Sequence, residues 1–245
     1  MFFIDKIRGK RKEEERKRQE EEKRKKMELR KQSNEITSDE FVKISIRGRV
    51  AYGICCLENA MLRYGISGEG WNMLLCRMWE FTTLSAAYDE TLKMLGLEKW
   101  SNLLYFLPER EYFPQRDYAK FIQRITFRDH MFLYPEEPPT KEVFEKLCDS
   151  YQAHDHETIK KICHSIFDIG SDELCAGIDD KSQNTLDELQ KLLDMMYAEK
   201  IPMPEVEPFR QYDFMRAEWG YDSDEHGWGE PFDGTKYSKF IGEGK

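Results

Sequence analysis

The chain has 245 residues, of which 40% are hydrophobic and 35% charged. Counting its 15 glycines, the apolar share is about 46%, an ordinary globular value that excludes a wholly disordered, collagen-like or disulfide-scaffold chain. The formal charge of −9 is uneven: residues 1–32 hold 14 basic and 8 acidic side chains, net +6, and the other 213 hold 24 basic and 39 acidic, net −15. An acidic body of that size repels nucleic-acid backbone and anionic lipid, and attracts a basic partner.

In chain order, the first seven residues make a short basic, amphipathic tip: Phe2, Phe3, Ile4 and Ile7 stand beside Lys6 and Arg8. Such a tip can touch an anionic membrane surface. Residues 8–26 carry no hydrophobic side chain, and Glu precedes a basic residue by four positions five times, beginning with Glu13–Lys17. Pairs of that kind stabilise a helix exposed on every side, and without an apolar seam it is no coiled coil. Residues 1–36 are therefore read as a charged helical arm.

Residues 37–201 are read as a helical body. Thr37-Ser38-Asp39-Glu40 has the form of a capping box ahead of Phe41, Ile44, Val50, Ile54, Leu57 and Met61, which predicts a helix from about 37 to Tyr64, ended at Gly65. Gly48, Ala51 and Cys55 form a small-residue stripe that would let another helix approach closely. Further helices are predicted at 71–95, 98–107, 115–127, 140–152, 155–168 and 183–200. Leu74, Leu75, Met78, Trp79 and Phe81 are the expected core of the first of these. Val143, Phe144, Leu147 and Tyr151 mark the buried face of the helix at 140–152, and Leu186, Leu189, Leu192, Leu193 and Met196 that of the last. No alternating β-branched run requires a sheet. The fold class is all-α: a multi-helix orthogonal bundle with an exposed charged N-terminal helix and an irregular, aromatic-rich C-terminal tail. In that tail, 202–245, Pro202, Pro204 and Pro208 hold the chain extended. Phe209, Tyr212, Phe214, Trp219, Tyr221, Trp228, Phe232, Tyr237 and Phe240 are expected to pack back on the body, with a short helix at 235–241.

The six cysteines, Cys55, Cys56, Cys76, Cys148, Cys163 and Cys175, form no CxxC. Most lie among apolar residues and read as reduced, buried small hydrophobes. With no secretory signal, the expected compartment is the cytoplasm.

The chemistry-bearing constellations are sparse. His154, His156, Cys163 and His164 crowd together, but 154 and 156 cannot share a helix face and no second ligand pair follows, so no metal site is expected. His154-Asp155 is similar to the signature dipeptide of HD-type metal-dependent phosphohydrolases, which are all-helical. His130 lies upstream and Asp168-Ile169-Gly170 downstream, but Phe167 stands where that family has His. Residues 222–233 imitate part of a calcium loop, with Asp222, Asp224 and Gly227 in place. His226 and Asp233 depart from the pattern, and an acidic loop with a turn at Asp233-Gly234 is the favoured reading. No GxSxG, P-loop, GxGxxG or HExxH is present.

The stretch Gly48–Ala60 (GRVAYGICCLENA), the later Ile201-Pro202-Met203-Pro204 with Phe209, and the closing Gly227–Gly234 (GWGEPFDG) with Tyr237-Ser238 resemble bacterial helical proteins that serve as immunity proteins in polymorphic toxin systems. The likeness spans about residues 40–240; the charged start has no counterpart in it. The resemblance implies a cytoplasmic, non-catalytic inhibitor that binds a cognate, basic toxin domain and needs no cofactor. Asp222, Asp224, Glu225 and Glu230, with Trp228 among them, are the candidate contact surface. The alternatives are an HD-like metal-dependent phosphohydrolase and a membrane-surface adaptor acting through Phe2, Phe3, Ile4 and Ile7.

Overall fold

The computed structural model describes residues 8, 12–18, 21, 22, 24, 25, 30, 35–83, 103–129, 139–171, 178, 181–214 and 227–242. The protein is an all-α multi-helix bundle. Its α-helices are α1 (Ile46–Tyr64), α2 (Glu69–Thr83), α3 (Tyr112–Gln115), α4 (Tyr118–Asp129), α5 (Lys141–Ala153), α6 (Glu157–Ser171) and α7 (Gln183–Ala198), with single 3-10 turns at Ser38–Phe41, Leu103–Phe106, Glu207–Phe209 and Gly234–Tyr237. Among the described residues no strand forms; one isolated antiparallel bridge joins Ile44 and Asp213.

The bundle is built around α1. Every residue from Ile46 to Met61 is buried, because α2, α6 and α7 all pack against this helix. Gly53 sets the closest approach: a Cβ there would lie 3.0 Å from Ile166 of α6 and 3.5 Å from Leu192 of α7. Two members of the predicted stripe, Gly48 and Cys55, face the C-terminal tail. A Cβ on Gly48 would meet Tyr212 at 3.4 Å, and Cys55 Sγ lies 3.9 Å from the Tyr237 carbonyl.

The start of α1 also differs from the capping-box expectation. Thr37 makes no side-chain cap, and Ser38–Phe41 closes only a 3-10 turn. The helix begins eight residues later, where the Ser45 hydroxyl accepts from Gly48 N at 3.2 Å. The cause is non-local. Ser45 N donates to Tyr212 O and Phe214 N to Lys43 O, each at 2.8 Å, so the tail fixes the backbone of residues 43–45. Tail carbonyls then accept from the first free amides of α1, Ile46 N to Gly227 O at 2.8 Å and Arg47 N to Trp228 O at 3.4 Å. Amides at a helix start have no intrahelical partner, so a buried start needs such acceptors. At the other end Gly65 takes the left-handed conformation and Ile66 N closes back on Met61 O at 2.8 Å, the usual glycine stop.

The remaining helices follow their patterns. Leu74, Leu75, Met78, Trp79 and Phe81 of α2 are buried, as are the Leu186, Leu189, Leu192, Leu193 and Met196 stripe of α7 and Phe144, Leu147 and Tyr151 of α5. Thr140 caps α5 by accepting from Val143 N. From the tail, Phe209, Phe214 and Trp228 enter the core, and Tyr212, Phe232, Tyr237 and Phe240 pack half-buried against it. The expected helix at 235–241 is one 3-10 turn, Gly234–Tyr237. Residues 84–102 carry the predicted end of the second helix and the first half of the next and lie outside the described residues; the other half of that helix, predicted at 98–107, is the 3-10 turn Leu103–Phe106.

In the arm, the described residues of 8–25 are helical and, Glu13 apart, exposed. Glu13 pairs with Lys17 at 3.7 Å and Glu21 with Lys25 at 2.7 Å, two of the expected i,i+4 pairs. The arm is tied to α7 where Arg30 pairs with Asp194 and Ile36 N donates to the Tyr197 hydroxyl at 2.6 Å.

Candidate functional site

Two groups of ionisable side chains carry the chemistry of the described residues. The first is the row of polar residues on buried α1. Polar groups buried this deeply are costly unless hydrogen-bonded, and each here grips irregular backbone. Arg47 donates to Gly229 O. The fully buried Arg49 donates to the carbonyls of Phe41 (3.2 Å), Val42 (3.3 Å) and Ser182 (3.3 Å) and to Thr185 Oγ1 (2.5 Å). Its guanidinium lies 4.9 Å from the centroid of the Phe214 ring. Tyr52 donates to Pro204 O (3.2 Å) and Asn59 to Pro202 O (2.8 Å).

Glu58 is the centre of the row. Its carboxylate accepts from Trp79 Nε1 at 3.1 Å, Ser238 Oγ at 2.6 Å and the backbone N of Lys239 at 2.6 Å. Burial raises the carboxyl pKa above its ordinary value, against the three donors, which lower it. The Lys239 ammonium reaches Asn59 Oδ1. Cys55, Glu58 and Asn59 therefore hold three consecutive tail residues, Tyr237 to Lys239. The Cys55 thiol is pushed up to about 12 by burial, with the Glu58 charge adding to it. This row serves as a clasp: its acceptors and donors are taken up by the chain itself.

The second group sits on α6. His164 Nε2 lies 2.7 Å from Glu109 Oε1, in the turn between the Leu103–Phe106 turn and α3. Asp168, one helical turn further along α6, has its carboxyl raised by burial and by the Glu188 carboxylate of α7. Glu188 is itself paired with Lys191. Buried Cys163 is held far above the usual thiol range by desolvation, so it is no thiolate nucleophile.

The residues singled out from sequence are not brought together. His156 stacks on Tyr64 with ring centroids 3.7 Å apart, His164 faces Glu109 and Cys163 is buried. Among the described residues no three His, Cys, Asp or Glu side chains are arranged to hold a metal ion. Asp155 pairs with Lys160 at the start of α6, and the helix from Glu157 to Asp168 spans about 16 Å at 1.5 Å per residue. His130, Asp222, Asp224, Glu225 and His226 lie outside the described residues, as do Phe2, Phe3, Ile4 and Ile7. Asp233 caps the last 3-10 turn, its carboxylate accepting from Thr235 N. Of the candidate contact surface, Glu230 is exposed. Trp228 belongs to the core: it is 9% exposed, with its ring 5.9 Å from that of Phe81. Cys55, Cys56, Cys148 and Cys163 are buried as expected, Cys76 is exposed on α2, and Cys175 lies outside the described residues.

Sequence reasoning left Glu58 without a role. The signal was the polar pair Glu58-Asn59 inside the otherwise apolar run 54–61. Glu109 gave none, since its partner lies 55 positions away. Among the described residues no helix is long and apolar enough to cross a membrane. No protein-family model, no curated protein and no solved structure matches this chain.

Proposed function

We propose that the chain is a non-catalytic protein-binding module, an immunity-type inhibitor whose acidic body receives a basic toxin domain. The observation that supports this reading is the net charge of −15 on residues 33–245. A field of that sign speeds the docking of a basic partner and disfavours nucleic acid as a competitor. The contact surface is the acidic loop of Asp222, Asp224 and Glu225 with exposed Glu230. Trp228, buried and seated against Phe81, is assigned to the core.

The test is co-expression with the toxin domain encoded directly upstream of the gene. Cells are expected to survive, and the two chains to elute as a one-to-one complex. Its association rate should fall by about tenfold or more from low to high salt, as for an electrostatically steered pair. Reversing Asp222, Asp224, Glu225 and Glu230 to Lys should lower that rate while leaving the fold intact. An upstream gene encoding no toxin, or failure to form a complex at micromolar concentration, overturns the proposal. So does turnover by the isolated chain that a single side-chain replacement abolishes.

A further inference from the structure

The turn at residues 107–111 is fixed to the body by unequal means. Leu107 is fully buried, and the hydroxyls around it are committed to backbone: Tyr151 donates to Phe106 O at 2.9 Å and Tyr112 to Tyr105 O. Arg110 turns its Nε to Leu104 O at 2.7 Å. Glu109 is different. Both of its carboxylate oxygens are shielded from solvent, and the group facing them is the imidazole of His164, 2.7 Å from Oε1. We infer that Glu109 and His164 form a proton-controlled latch that closes the 107–111 turn onto α6.

A shielded carboxylate is tolerable beside an imidazolium and costly beside a neutral ring. The charged groups around His164 are Glu109 and Arg110 from the turn and Asp168 on its own helix. Glu188 and Lys191 of α7 lie beyond Asp168 and face it. The contact with the Glu109 carboxylate raises the imidazole pKa above its ordinary value, outweighing burial, which lowers it. A histidine raised in the folded state contributes stability that is complete below its unfolded pKa and is lost as pH rises through the folded one. The latch is therefore shut below the ordinary histidine pKa and released as pH rises through the raised one, when opening the turn returns Glu109 to water. This device is independent of any partner and of the immunity reading.

Hydrogen exchange on the full chain tests it, read at Arg110 N and Phe113 N, which donate to Leu107 O and Arg110 O. After correction for intrinsic exchange, their protection should fall as pH rises through the His164 titration followed by NMR. In Glu109→Gln the His164 midpoint should drop toward that of an ordinary histidine, and protection should lose its pH dependence. His164→Gln should also give a flat profile. Protection that is constant through the His164 titration of the native chain overturns the inference. So does a midpoint unmoved by Glu109→Gln, or one moved instead by Asp168→Asn.

Discussion

At the residue scale, the decisive group is a carboxylate that meets no solvent. Glu58 faces three donors, from Trp79, Ser238 and Lys239, so a side chain lacking an acceptor would leave three polar hydrogens without one. Glu58→Ala is expected to cost about 3 kcal/mol or more, the scale of several orphaned buried groups, measured by chemical denaturation at neutral pH. The carboxyl pKa is raised in the folded chain, and this fixes the pH dependence. A raised folded pKa means that the folded state holds its proton more tightly. The contribution is then fully present below the unfolded pKa and declines as pH rises through the folded one. Glu58→Gln abolishes that titration. The stability difference between native chain and variant should be greatest in acid and shrink toward neutrality, as denaturation at several pH values would show.

At the element scale, close helix packing depends on missing side chains. A Cβ on Gly70 would sit 2.8 Å from Ser150 Cβ and 3.0 Å from the Leu147 backbone, where α2 crosses α5. Backbone cannot step aside as a flexible side chain can. Gly70→Ala should destabilise by about 1–3 kcal/mol, as overpacking does, with a matching drop in thermal midpoint and the α2–α5 amides exchanging first. Elements whose reasons are local were legible in the sequence. The 3.6-residue spacing marks the buried faces of α5 and α7, and Thr140 marks the start of α5. The beginning of α1 was not legible. Thr37 to Glu40 satisfies every local rule for a cap, yet the helix waits until Ile46 because Tyr212 and Phe214, some 170 positions later, claim the backbone of residues 43–45. Tertiary hydrogen bonds overrode a local preference worth only about 1 kcal/mol. The site followed the same division: the His154–His164 crowding was visible, but which side each ring would face depended on Tyr64 and Glu109, distant partners that no spacing reveals.

At the scale of the whole molecule, the two ends of the chain play opposite parts. The arm is held by pairs within its own exposed helix and by Arg30 and Ile36 on α7. Exposed pairs contribute little to stability, so removing residues 1–29 should leave the thermal midpoint within about 2 °C of the native value, no more than the shift that about 1 kcal/mol produces in a chain of this size. The segment from Gly227 onward is a structural member of the core. Its carbonyls cap α1, Phe232 N donates to Thr82 O and Gly234 N to Thr82 Oγ1, and Ser238 and Lys239 satisfy Glu58. A chain ending at residue 226 loses those acceptors and donors together and uncovers Trp79 and Phe81. Its loss should approach the whole of a domain's usual margin, about 5–15 kcal/mol. Calorimetry of the two truncated chains decides the matter. The shorter start should keep a single sharp transition. The shorter end should lose it and bind a hydrophobic dye at 25 °C, as a compact chain without fixed packing does.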